Sequence, residues 1–96
     1  MKMLMIVYNE ALDDEVMRIL ERQASRNFTK ITGSFGRGTS SGVHLGTDIW
    51  PGLNNILYVA CDEAQAKEML LDVKELRKKI GHEGAKAFIF DVEEST

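Results

Sequence analysis

The sequence has few of the features that mark secreted, membrane-spanning or nucleic-acid-binding proteins. Its one cysteine, Cys61, has no partner for an internal disulfide, and no apolar run approaches the ~20 residues that cross a bilayer. Twelve basic residues against 15 acidic ones leave a net charge of −3, which gives no general attraction for nucleic acid or an anionic membrane. Nothing near the N-terminus is typical of a secretory signal. We therefore expect a cytoplasmic protein that does not bind nucleic acid or insert into a membrane.

Groups for catalysis and metal binding are also scarce. No nucleophile stands beside a base, and the carboxylates form no constellation for acid–base or covalent catalysis. The two histidines, His44 and His82, show no spacing typical of metal ligands. We expect neither an enzyme nor a metal site. Because 96 residues suffice for one core but not for two, a single domain over residues 1–96 is predicted.

Hydrophobic periodicity predicts four strands and two helices. Short apolar or β-branched runs indicate strands, and apolar residues at three- and four-residue spacing indicate helices. Asp62, three residues before Gln65, is typical of a capped helix start, and Gly81 of a helix end. The predicted strands are 2–8, 27–35 (with Gly33 as a possible bulge), 55–61 and 85–92, and the predicted helices are 12–24 and 62–80.

The order βαββαβ predicts an α+β, ferredoxin-like sandwich, with both helices on one face of a four-stranded antiparallel sheet. In such a sheet only the face under the helices should be apolar. The first strand is apolar on both faces, however, with Met3, Met5 and Val7 alternating with Leu4, Ile6 and Tyr8. The open face would then expose several hundred Å² of apolar surface. We therefore expect a homo-oligomer that forms through the sheets.

A glycine-rich segment, 33–53, joins the two halves of the chain. It holds six of the eight glycines and the only proline and tryptophan, and links of this length between strands tend to be functional or disordered. Arg37 offers a permanently charged guanidinium group that can donate two hydrogen bonds to a phosphate or carboxylate. A second candidate for an anion is the segment 81–86, which ends in Lys86. Taken alone, the first could be a flexible hairpin loop and the second a helix end with a solvated lysine.

Two motifs together resemble the PII-type signal-transduction family, the nitrogen regulatory P-II proteins. They are the turn Phe35-Gly36-Arg37 and the final segment 80–92, IGHEGAKAFIFDV, and the resemblance extends over the whole chain. It implies a homotrimer with its sheets packed inward and an adenine nucleotide (ATP, ADP or AMP) in the clefts between subunits. It also implies a loop that regulates a membrane transporter or an enzyme, in nitrogen control or another pathway.

The resemblance transfers residue by residue to part of the family's binding site. Gly36 and Arg37 match the turn that faces the phosphates, Lys86 matches the lysine opposite, and Gly84 keeps part of the glycine turn before it. Gly38 stands where the family has a glutamine used with magnesium and 2-oxoglutarate. Ala85 replaces a glycine, the loop is shorter, and the basic C-terminal residues are absent. We therefore expect a divergent, short-loop member that binds a nucleotide or another anion at Gly36, Arg37, Gly38, Gly84 and Lys86.

The loop would contact its target through its larger side chains, which are Val43, His44, Leu45, Ile49 and Trp50. An alternative is a structural or metal-tolerance module like the CutA-type trimers, which share the predicted architecture. In that case His44, Asp48 and His82 would be possible metal contacts.

Overall fold

A computed structural model describes residues 1–23, 27–36, 52–81 and 84–96 of the chain. The order of the regular elements is the one predicted. The elements are strand β1 (Lys2–Asn9), a 3-10 turn (Glu10–Leu12), helix α1 (Asp13–Glu21), strand β2 (Thr29–Ser34), strand β3 (Asn54–Cys61), helix α2 (Glu63–Ile80) and strand β4 (Ala85–Asp91).

The four strands form one antiparallel sheet in the order β2-β3-β1-β4. In the central strand β1, Ile6 pairs with Leu57 on one side and with Ala87 on the other. This arrangement confirms the predicted α+β sandwich of the ferredoxin-like type. It leaves β2 and β4 as the two edges, each with one row of backbone groups that no strand in the described part of the chain pairs.

Both helices pack on one face of the sheet, and the hydrophobic core lies between the helices and the sheet. Leu4, Ile6 and Tyr8 of β1 are at most 1% exposed, which confirms that alternate residues of this strand face the core. Leu57 and Val59 extend the same layer across β3. The helices contribute Val16, Ile19 and Leu20 from α1 and Ala66, Met69 and Val73 from α2.

Helix α2 begins at the predicted cap. The Asp62 carboxylate accepts the backbone N–H of Gln65 at 2.7 Å, and the Gln65 side chain accepts the backbone N–H of Asp62 at 3.3 Å. This capping box satisfies two donors that an uncapped first turn would leave free. Gly81 follows the last helical residue, as predicted. Neither α1 nor α2 is long and apolar enough to cross a membrane.

The second face of the sheet carries no helix within the described ranges, and we call it the open face. Its half-buried side chains include Met3, Met5 and Val7 of β1, and β3 adds Ile56 and Tyr58. The edge strands contribute three larger exposed side chains, which are Ile31, Phe88 and Phe90. The prediction that β1 is apolar on both faces is therefore confirmed.

Candidate functional site

The end of β2 leads directly into the segment 37–51. Ser34 pairs with Asn54 of β3, and its hydroxyl donates to the Asn54 carbonyl at 2.8 Å. Two residues later the backbone of Gly36 lies so close to the Asn54 side chain that a Cβ there would be 2.5 Å from Asn54 Nδ2. A glycine at this position thus permits a backbone approach that a larger residue would push away. A register shift between Ile31 and Ser34 shows that the pairing is irregular around Gly33, the predicted bulge position.

The chain returns from the segment beside the end of β1. The backbone N–H of Glu10 donates to the Leu53 carbonyl at 3.0 Å, and Leu53 precedes the first residue of β3. Together with the contact between Gly36 and Asn54, this bond fixes both ends of the segment at one end of the sheet. We call residues Ser34, Gly36, Leu53 and Asn54 the loop stem.

The second predicted anion-binding segment reaches the same end of the sheet on the opposite edge. The carbonyl of Gly84 accepts the backbone N–H of Asn9 at 2.8 Å, which joins the start of β4 to the end of β1. Lys86 pairs with Val7, so it projects from the open face. Its side chain is exposed, and Nζ lies 5.6 Å from the centre of the Phe88 ring. The ammonium is therefore accessible and rests beside apolar surface.

Two strands separate the loop stem from Lys86. A row of residues crosses this end of the sheet from Ser34 through Asn54 and Asn9 to Gly84. Strands lie about 4.8 Å apart, so three spacings place the two edges about 14 Å from each other. A compact anion such as a single phosphate therefore cannot touch the backbone at both Gly36 and Gly84 of one subunit.

A network of polar side chains lies beneath β2, on the helix side of the sheet. Asp13 Oδ1 accepts hydrogen bonds from Tyr8 Oη at 2.6 Å, from Lys30 Nζ at 2.8 Å and from Asn55 Nδ2 at 3.4 Å. Burial opposes ionisation of Asp13, but the bonds from Lys30 and Tyr8 outweigh it and hold the pKa of the carboxyl below its usual range. Burial, with the bond to Asp13, raises the pKa of Tyr8.

Sequence patterns alone do not reveal this network. Periodicity identifies Asp13 only as one of several acids in the first turn of a helix. One feature of the sequence could have pointed to it. Lys30 is the one charged residue in β2, and it stands next to the apolar Ile31, so the two side chains point to opposite faces and Lys30 lies on the core side of the strand.

Most of the predicted site residues lie outside the described part of the chain. They are Arg37 and Gly38 of the predicted anion site, the partner-binding residues Val43, His44, Leu45, Ile49 and Trp50, and the alternative metal contacts Asp48 and His82. Gly36, Gly84 and Lys86 are described, and the structure places them at one end of the sheet but on opposite edges. The predicted roles of all these residues stay predictions.

Side chains that could hold a metal ion do not cluster in the described ranges. No group of three or more His, Cys, Asp or Glu residues is placed there to hold a metal ion. Cys61 is buried, and burial raises the pKa of its thiol above the usual range. This thiol is therefore less ionised than an exposed one.

Comparisons with known proteins find the same architecture in solved structures. No protein-family model matches the chain, and no curated protein sequence matches it. A Thermus thermophilus protein described as a PII-like signaling protein is 22% identical, with a TM-score of 0.68 and coverage of 95% of this chain and 84% of that one. CPII from Thiomonas intermedia, a nitrogen regulatory PII-like protein bound to ADP, AMP and bicarbonate, is 15% identical, with a TM-score of 0.73 and coverage of 95% and 88%. The apo form of CPII has a TM-score of 0.71 at 14% identity and coverage of 95% and 87%. The chain therefore has the fold of PII-like signalling proteins, which confirms the resemblance at the level of the fold.

Proposed function

We propose that this chain is a non-enzymatic, PII-like regulatory protein of the cytoplasm. It binds a small anionic effector, an adenine nucleotide such as ADP or AMP, in clefts between the subunits of a homotrimer. The loop 38–53 then regulates a transporter or an enzyme, with nitrogen control as one candidate pathway.

The observation that carries this proposal is the position of the loop stem and Lys86 relative to the open face. Gly36 and Lys86 lie on opposite edges of one sheet end, and Lys86 projects from the open face. If subunits pack through their open faces in a ring, the β2 edge of one subunit meets the β4 edge of the next. That packing would bring Gly36 and Lys86 together across an interface.

The chemistry at such a cleft suits the phosphates of a nucleotide. The backbone at Gly36 can approach an anion closely, Arg37 adds a guanidinium, and Lys86 adds an ammonium from the neighbouring subunit. Binding of ADP and AMP by CPII, a protein of the same fold, supports the choice of ligand.

Regulation requires that the effector distinguish between states of the loop. An effector that bound all loop states equally would shift none of them. Because Gly36 and Arg37 directly precede the loop and also belong to the proposed site, an anion there would favour loop states in which these two residues face the cleft. The target would then bind through Val43, Leu45, Ile49 and Trp50, with His44 beside them.

Titration calorimetry of the purified protein with ADP, AMP and ATP tests the proposal. We expect saturable binding of at least one nucleotide, and a Kd about tenfold higher in Lys86→Gln, because a charge-assisted bond contributes roughly 1.5–3 kcal/mol. Lys78→Gln is the matched control, since Lys78 is an exposed lysine on α2 that pairs with Glu75 at 3.0 Å. Absence of nucleotide binding, or equal binding by the two variants, would contradict the proposed site.

A further inference from the structure

Strand β2 contributes little apolar surface to the core of the subunit. Of its six residues only Lys30 and Ser34 are half-buried, and the other four are exposed. Its one large apolar side chain, Ile31, faces the open side and is 46% exposed. The two half-buried side chains of the strand are therefore both polar.

The main polar contact joins Lys30 to Asp13 at the start of α1. Lys30 Nζ lies 2.8 Å from one carboxylate oxygen of Asp13 and 3.1 Å from the other. Both side chains are largely shielded, with 23% and 34% of their surface exposed, so water weakens this pair less than it weakens a surface ion pair.

The rest of the network fixes the position of the Asp13 carboxylate. The hydroxyl of Tyr8, whose side chain is in the core, donates to it at 2.6 Å, and Asn55 of β3 donates at 3.4 Å. Asp13 thus connects β1, β3 and α1 to the edge strand. Without the negative charge of Asp13, the Lys30 ammonium would lose its ionic partner, while the ring of Phe28, whose centre lies 5.9 Å away, would remain beside it.

The same strand carries one side of the loop stem. Lys30 lies in the regular part of β2, before the register shift, and Ser34 resumes the pairing after it. Gly36 follows two residues later against Asn54. The position of Gly36 therefore depends on whether β2 stays in place, and the link from Lys30 to Asp13 is a side-chain contact that joins β2 to helix α1.

We propose that Asp13 is a positioning residue that holds β2, and with it the loop stem, in the conformation that binds the effector. The inference rests on the proposed function, because it assigns a regulatory role to the strand that carries the proposed site. Binding of the effector and the position of β2 then affect each other. Whatever releases β2 from Asp13 weakens binding, and bound effector keeps β2 in place.

Hydrogen exchange measured by mass spectrometry tests the first half of the inference. In Asp13→Asn and in Lys30→Met we expect amides in the range 27–36 to exchange about tenfold faster, because each variant loses the bond between two charged groups that holds the strand. Amides of β1 and β4 should change by less than about twofold, since local opening leaves the rest of the sheet intact. The matched control is Asp14→Asn, which removes the same charge from the same helix turn at an exposed residue.

Titration of the same variants with ADP tests the second half. The apparent Kd equals the intrinsic value divided by the fraction of competent protein, so we expect a rise of about two- to tenfold in Asp13→Asn and Lys30→Met. Asp14→Asn should bind as the wild type does, and Lys30→Arg should restore much of the binding lost in Lys30→Met. The oligomeric state should be the same in all four variants.

Each result has a defined consequence. Unchanged exchange over 27–36, or equal acceleration in every strand, would overturn the role of Asp13 in holding β2. Selective acceleration with an unchanged Kd for ADP would overturn the link to the effector site. Selective acceleration in a protein whose wild type binds no nucleotide would overturn the proposed function and still support the role of Asp13 in holding the strand.

Discussion

A charge placed at the centre of the open face should separate the subunits without unfolding them. Met5 lies in the central strand β1, between Tyr58 of β3 and Phe88 of β4, and its side chain is half-buried. In an isolated subunit a lysine at position 5 can extend its ammonium into water from the uncovered face. Packed against a second open face, the same ammonium would lose its water and find an apolar neighbour.

The free-energy cost of Met5→Lys should be much smaller within one subunit than in an interface, and the difference is large enough to measure. Within one subunit, Met5→Lys loses packing against Tyr58 and Phe88 and should cost about 1 kcal/mol, the usual range for cross-strand pairs. In a dry interface an unpaired charge costs several kcal/mol per subunit. Since about 1.4 kcal/mol changes an equilibrium constant tenfold, the dissociation constant of the oligomer should rise by at least about a thousandfold.

Light scattering coupled to size-exclusion chromatography measures this effect directly. We expect the wild type to elute as a trimer and Met5→Lys as a monomer that retains its circular dichroism spectrum. The matched control is Leu71→Lys, which replaces a 57% exposed apolar residue on the solvent side of α2 and should leave the trimer intact. A monomeric wild type, or a Met5→Lys variant that stays trimeric, would refute the argument that subunits cover the open face.

Two further variants test the physical account of the fold. Asp62→Ala removes the acceptor for the Gln65 N–H and should lower the free energy of unfolding by about 1 kcal/mol in urea denaturation; no change would contradict the role of the capping box. Tyr8→Phe removes a phenol whose pKa is raised by burial and by Asp13, so its contribution is complete below pH ~10 and is lost as the pH rises beyond that value. Between about pH 10 and pH 11 the variant should therefore lose less stability than the wild type, and equal losses would contradict the raised pKa.

The order of the elements could be predicted because each has a strong periodic signal. The run of apolar residues in β1 and the capped, amphipathic pattern of α2 predict bounds that match the structure within one residue at each end. The predicted start of α1 also lies within one residue of the observed one, but the 3-10 turn before it, where Asn9 accepts the Ala11 N–H at 2.9 Å, was not predicted. Periodicity does not distinguish that turn from the first turn of an α-helix.

The residue types predict that the candidate site binds an anion, but they do not predict how its residues are arranged in space. Gly36 and Lys86 stand 50 positions apart in the sequence, and only strand order shows that two strands separate them. Asp13 and Lys30 are 17 positions apart and belong to different elements, so no helical or strand period connects them. Contacts of this kind depend on how the elements pack, which local patterns do not determine.

The two faces of β2 indicate why assembly and effector binding should be linked in this protein. Its inner face offers Lys30 to Asp13, a contact complete within one subunit. Its outer face offers Ile31, which remains 46% exposed until something covers it. A neighbouring subunit packed on the open face would bury that side chain and add apolar stabilisation to a strand that has little of its own. The strand that carries the loop stem would then be better held in the proposed oligomer than in a monomer, and such an oligomer would also let Gly36 share one ligand with Lys86 of a neighbouring subunit.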